Sequence, residues 1–207
     1  MAALLSLSNE VTIKRHCNVD DVKDKGIDKG IGAFSGSAEK EKEKLISVIE
    51  KGGYVTIAYT LENVIVGFIS LDKWTVPAGR VVFETIYELV AEVSKEWRGR
   101  GIAFAMLTFT FEDPFFDDKI VIARGISSYW DLTMLEKETY RRRLLNGLKA
   151  AGFVDWSDNN PFGGEFLAVR IGSKADPYLV EHLDEVFARQ ASTIYETETV
   201  QIFGDKF

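Results

Sequence analysis

Two groups of residues near the middle of the chain could do chemistry. The segment EVSKEWRGRGIAFAM, Glu92 to Met106, passes from strand-like sequence through Arg98, Gly99, Arg100 and Gly101 into an almost wholly apolar helix. At a strand-to-helix junction the exposed backbone N–H groups and the positive end of the helix dipole attract an anion, and glycine allows close approach. A plain turn needs one glycine, whereas two glycines flanked by two arginines suggest that something negative is held; an ordinary glycine turn remains the alternative. Just upstream, Glu84, Glu88 and Glu92 recur every four residues. In a regular strand all three project from one face, and Phe83, Tyr87, Leu89, Ala91 and Val93 form a core-like opposite face. A bulge would upset that parity.

Other chemistries fit poorly. No GxxxxGK[ST] occurs, and Gly99-x-Gly101 lacks the third glycine of a dinucleotide fingerprint, with Phe104 in its place and Arg124-Gly125 where an acidic residue is expected. Cys17 is the only cysteine and His16 and His182 the only histidines, which provides neither a disulfide nor a Cys/His metal cluster, so no metal is expected. Cys17 has only His16 beside it as a base, directed to the opposite face of a strand, and reads as an inert thiol.

The elements that position these residues belong to one domain. A length of 207 residues, 46% of them hydrophobic, suits a single unit over 1–207, with a core at about 11–172 and an additional helix and tail at 173–207. A formal charge of −7 argues against a general nucleic-acid surface, so any anion site must be local. The longest apolar runs, such as Ile102 to Phe111, fall short of the roughly 20 residues of a membrane span. The opening MAALLSLSNE lacks the basic section of a secretory signal. The expectation is a soluble, cytoplasmic protein.

Val11 to Arg15 reads as a strand, followed by a glycine-punctuated stretch, GIDKGIGAFSGSAE, that suits a mobile loop or lid. AEKEKEKLISVIEKGG is a helix with charges on an exposed first half. YVTIAYT and NVIVGFISL form a hairpin, and VVFETIYELVAEVS is a long third strand. The apolar helix ends at Asp113-Pro114, and KIVIARG is a central strand. MLEKETYRRRLLNGLKAAGF is amphipathic, with Leu135, Tyr140, Leu144, Leu145 and Leu148 at helical spacing and Gly152 as cap. FVDW and EFLAVRI read as a last pair of strands. An additional helix carries Leu179, Leu183, Val186 and Phe187 on one stripe, and the tail IYETETVQIFGDKF reads as an edge strand or disorder. The fold class is α/β: a mixed sheet in one layer with helices on both faces.

The run Arg-Gly-Arg-Gly-Ile-Ala after a long strand, this element order, and AAGF closing the next helix resemble the Gcn5-related N-acetyltransferase (GNAT) superfamily. A narrower similarity, over about Tyr54 to Gln190 through YELVAEVSKEWRGRGIA, YWDLTMLEKETYRRRLLNGLKAAGF and AVRIG, is to the bacterial acetoin-utilisation acetyltransferases. The resemblance implies a mostly antiparallel central sheet and acetyl-CoA as cofactor. It implies that backbone amides of Arg98, Gly99, Arg100, Gly101, Ile102 and Ala103 cradle the coenzyme A pyrophosphate, and that the backbone of Val93 and Ser94 pairs with the pantetheine arm as an added pseudo-strand. Amides near Val93 would meet the oxyanion.

The resemblance also implies N-acetylation of a protein lysine, in this family a lysine of acetyl-CoA synthetase, which is thereby switched off, by direct attack in a ternary complex. An open groove and no nucleic-acid or membrane partner go with that reading, and a homodimer is an assembly it allows. A free lysine titrates near 10.4, so a carboxylate or a water relay must take a proton. Glu92, at the position where this family carries a glutamate, is the first candidate and Glu88 the reserve; a solvated or ion-paired glutamate is the alternative. The tyrosine that many superfamily members place four residues before the Gly-Phe pair is here Leu148, so thiolate protonation falls to water, with Tyr140 as a packing residue. Tyr129 and Trp130 either line an acceptor entrance or cap the sheet. A small-amine acetyltransferase, with an enclosed acidic pocket, and a non-catalytic acyl-CoA sensor are the alternatives.

Overall fold

The β-branched and aromatic runs find one another in a single nine-stranded sheet in the computed structural model, which describes residues 3–75, 82–133 and 135–192. The strands are β1 (Ala3–Ser6), β2 (Val11–Arg15), β3 (Gly26–Ile27), β4 (Tyr54–Thr60), β5 (Val64–Thr75), β6 (Val82–Val93), β7 (Ile120–Gly125), β8 (Val154–Asp155) and β9 (Phe166–Ile171), and the helices are α1 (Val19–Lys23), α2 (Ala38–Glu50), α3 (Ile102–Phe111), α4 (Lys137–Ala150) and α5 (Pro177–Glu181). The spatial order is β1-β2-β4-β5-β6-β7-β9-β8, with β3 beside β5. Pairing is antiparallel except at β3–β5 and β6–β7. The mixed, mostly antiparallel sheet flanked by helices is thus the one expected. The opening residues, to which no element was assigned above, add β1 at its edge.

Period-2 alternation divides the sheet's side chains between two faces. Tyr87 of β6 and Val121 and Ala123 of β7 pack with Ile102, Met106, Leu107, Phe109 and Phe111 of α3 and Leu145 and Leu148 of α4. On the other face, Ile57, Ile65 and Phe68 meet Val22 of α1 and Leu45 and Val48 of α2. Farther along, Trp74, Ile86, Ile120 and Leu167 are covered by Leu183 and Phe187. These two belong to helical residues 183–192, so the additional helix packs where its stripe predicts. The tail beyond 192 lies outside the described residues.

Four local expectations need correction. Glu84, Glu88 and Glu92 do not share a face, because the β5–β6 register shifts between Lys73 and Thr75 and Glu84 turns to pair with Lys73, whose register partner is Tyr87. The charged first half of α2 is not wholly exposed, since Glu41 is buried at 1% exposure on the inward stripe with Ala38, Leu45 and Val48. On α4 the inward residues are Leu145 and Leu148, while Leu144 is exposed and Leu135 precedes the helix. The glycine-punctuated stretch is pinned down rather than loose: Asp28 N donates to Ile65 O at 2.9 Å, and Gly36 N donates to Gly32 O at 2.8 Å.

Candidate active site

The central strands part. β6 and β7 pair only through Ile86, Tyr87 and Glu88 against Ile120, Val121 and Ile122. Beyond that point β6 continues to Val93 against β5, while β7 continues to Gly125 against β9. Among the described residues, the edge of β6 from 89 to 93 therefore has no strand partner on the β7 side. Ser94 N donates to Val66 O of β5 at 2.9 Å, and strand backbone groups alternate sides, so those of Val93 face the opening. Arg98 Nε donates to Val93 O at 2.9 Å, leaving the Val93 N–H on that edge.

Ser94 does not offer the backbone groups expected of it. Its N–H is taken by Val66, its carbonyl accepts from Trp97 N at 2.9 Å, and its hydroxyl donates to Asp28 at 2.6 Å. It is a strut joining the end of β6 to the 28–33 segment.

The glycine loop then builds the second part. After a 3-10 turn at Lys95–Trp97, Gly99 and Gly101 take left-handed φ of 76° and 77°, and α3 starts at Ile102. Only glycine holds this backbone without strain, and a Cβ on either would meet nothing within 4 Å. Among the described residues, no partner accepts from the amides of 99–104, and α3 has no side-chain cap at its N-terminus. The arginine side chains turn elsewhere. Arg98 Nη1 meets Asp131 Oδ2 at 2.8 Å, and Arg100 lies over the Trp97 ring at 4.6 Å. The hydrogen bonds of Thr133 and the pairing of Lys95 hold the Asp131 carboxyl far below the usual range.

Glu92 is the third part. Its carboxylate is buried at 7% exposure and accepts from Gly32 N and Ala33 N at 3.1–3.2 Å. Loss of water pushes its titration up; the two amides oppose this, the Glu41 charge adds to it and Arg98 counters. Among the described residues it has no ion-pair partner within 4.0 Å. Gly32 fits this cradle because its φ is 134° and a Cβ there would stand 2.9 Å from the Ser37 backbone carbon. Glu88 instead is held by Arg124, with Oε1 at 2.7 Å from Nε and 2.5 Å from Nη2.

Glu92 opens on a cavity of about 750 Å³ between the 29–37 segment and residues 128–133. Lys29, Lys95, Arg98 and Asp131 line it, with both Lys95 and Arg98 paired to Asp131, together with Tyr129 and Trp130. Phe34 touches Tyr129 across the two walls at 4.9 Å, while Trp130 stacks on Tyr140 at 5.2 Å, so these aromatics serve both entrance and packing. Burial raises the Tyr140 hydroxyl's titration. Leu148 is a core residue, burial pushes the Cys17 thiol up to about 12, and His182 stacks on Tyr178 at the surface. Sequence reasoning missed the Gly32 and Ala33 amides, Asp131 and Glu41. The glycines of GIDKGIGAF were the one available signal, and they pointed to mobility instead.

No protein-family model matches this sequence, and no curated protein does. Solved structures do. An acetoin utilization protein from Exiguobacterium sibiricum is 23% identical and superposes over 91% of this chain and 94% of its own with a TM-score of 0.78. A ribosomal-protein-S5-alanine acetyltransferase from Vibrio fischeri, 16% identical, covers 84% of this chain and 100% of its own at 0.51. A GNAT superfamily phosphinothricin acetyltransferase from Sinorhizobium meliloti, solved in complex with acetyl-CoA, is 15% identical over 78% and 89% at 0.50. The chain has the GNAT acetyltransferase fold.

Proposed function

We propose that the protein is an acetyl-CoA-dependent N-acetyltransferase that acylates a lysine of a protein directly, without an acyl-enzyme. One observation carries this reading: among the described residues, a strand edge freed after Glu88, a row of amides without partners from Gly99 to Phe104, and a buried carboxylate at Glu92 facing a cavity all meet within one short stretch of chain. The free amides and open space over Gly99 and Gly101 fit a diphosphate, and the free edge at 89–93 fits an extended pantetheine arm.

When bound, acetyl-CoA supplies a thioester carbonyl. The chain's own part is to orient and to move protons. The Val93 N–H meets negative charge developing on the carbonyl oxygen, and Glu92 takes a proton from the attacking amine. With an apolar Leu148 at the usual tyrosine position, water returns a proton to the thiolate.

The cavity sets Lys29, Lys95 and Arg98 against Glu92 and Asp131, which is not the acidic enclosure that a small cationic amine calls for. An exposed protein lysine entering an open cleft suits it better. Acetyl-CoA synthetase, in the cytoplasm, is the acceptor that the similarity to the acetoin-utilisation acetyltransferases suggests. Titration calorimetry with coenzyme A and acetyl-CoA tests the cofactor, and thiol release with purified acetyl-CoA synthetase tests the acceptor. Absence of heat with well-folded protein overturns the first; release with small amines but no protein overturns the second. Tight binding without transfer to either would make the protein a sensor.

A further inference from the structure

Lys29 has no place in the chemistry above, yet the fold fixes it on the wall of the cavity. After β3 the chain makes a tight turn, with Ile31 N donating to Asp28 O at 3.0 Å, and Lys29 and Gly30 are its two central residues. The turn is pressed against the end of β6. Asp28 accepts from Ser94 Oγ at 2.6 Å and from Gly30 N at 2.9 Å, and a Cβ on Gly30 would stand 2.4 Å from Ser94 Oγ and 3.3 Å from Lys95 N. The same segment then runs on into Gly32 and Ala33, whose amides clamp Glu92.

The other charges of the cavity are committed. Lys95 and Arg98 both pair with Asp131, at 3.3 Å and 2.8 Å, and Glu92 accepts from its two amides. Asp28, beside Lys29 in sequence, is turned to Ser94 and Gly30. Lys29 is exposed, and among the described residues its ammonium has no hydrogen-bond or ion-pair partner. Three cations therefore line one cavity with two carboxylates, in a chain whose formal charge is −7. An acceptor lysine arrives as an ammonium, since a free one titrates near 10.4, and this local surplus opposes it. A carboxylate carried beside the amine offsets the repulsion and gives Lys29 a partner.

Resting on the acetyltransferase reading, we propose that Lys29 determines acceptor choice: it receives a carboxylate next to the amine to be acetylated, that of an Asp or Glu flanking the lysine of a protein segment. A basic flank meets like charge instead. The contact is electrostatic, leaves the transfer step as described above, and weakens with salt because the ammonium is exposed. An amino acid's own carboxylate offers the same chemistry, and the test separates the two sources.

Peptides of one sequence, with the acceptor lysine flanked by Glu, Gln or Lys, are compared in thiol release, and their fluorescein-labelled forms are titrated into protein loaded with coenzyme A. Free lysine and glycine form the small-molecule arm. The wild type should favour the Glu flank over the Lys flank by about tenfold in kcat/KM, mostly through KM, and by less at high salt. Lys29→Gln should flatten the order and Lys29→Glu should reverse it, both with wild-type affinity for coenzyme A. Use of the free amino acids but no peptide, with the dependence on residue 29 retained, keeps the carboxylate contact and makes its source a small acceptor. Equal use of all flanks by the wild type, or an order that survives Lys29→Glu, overturns the proposal and leaves the acetyltransferase reading intact. Flank-dependent binding without any transfer keeps the contact and loses that reading instead, and absence of both binding and transfer overturns both.

Discussion

Glu92 combines burial that disfavours its charge with a proposed role, that of base, which needs that charge. Its titration in the folded protein lies above the ordinary glutamate value, with desolvation as the largest cause. The folded state therefore binds this proton more tightly than the unfolded chain. That contribution to stability is full below about pH 4.3 and is lost as pH rises through the folded value. Glu92→Gln should then melt above the wild type at pH 8, with the gap narrowing on acidification, while transfer slows by about 10²-fold or more and affinity for coenzyme A persists. Melting curves at several pH values and steady-state rates check the two halves. A rate near wild type would remove Glu92 from the mechanism, and a gap independent of pH would deny the desolvation.

At the scale of elements, the proposed anion site depends on how α3 begins. Tyr54 OH donates to Asp113 at 2.9 Å and Thr56 and Thr110 share a buried hydroxyl contact at 2.8 Å, which fixes α3 against β4. Its uncapped N-terminus thus stays presented to the opening. Gly101→Ala should cost about 1 kcal/mol through its left-handed φ, and should weaken coenzyme A binding without abolishing it, because the added methyl enters the open space assigned to the diphosphate. Gly101→Glu carries the same strain and adds bulk and like charge, so calorimetry should register no binding to a protein that still folds. Equal affinities for the two variants would contradict the loop assignment. Much of this was readable beforehand: an apolar run placed α3, periodicity placed α4, Pro114 ended the apolar helix, and the glycine pair marked the loop. The cradle of Glu92 was not readable, since Gly32 and Ala33 lie about 60 residues upstream and meet it only through folding. Nor was the facing of Glu84, which a single register shift decides.

Over the whole molecule, the sheet is longer than α1 and α2 can cover on their face, and the C-terminal helices complete the job. Phe187 is fully buried and meets Trp74 edge-on at 5.6 Å, while Trp156 Nε1 donates to Asp184 at 2.8 Å and ties the helical residues 183–192 to the segment after β8. This cover lies over Ile86, Ile120 and Leu167, on the paired portion of β6 and β7, and not over the opening beyond Glu88. The division suggests that the paired half acts as a rigid base from which the free edge projects. Phe187→Ala should cost about 3–5 kcal/mol in stability, a large share of the roughly 5–15 kcal/mol typical of a domain. At a temperature where the variant remains folded, its affinity for coenzyme A should match the wild type. Chemical denaturation and calorimetry on the same preparation check both. Loss of affinity in a fully folded variant would mean that the base and the free edge are mechanically coupled, and that the C-terminal helices belong to the site as well as to the fold.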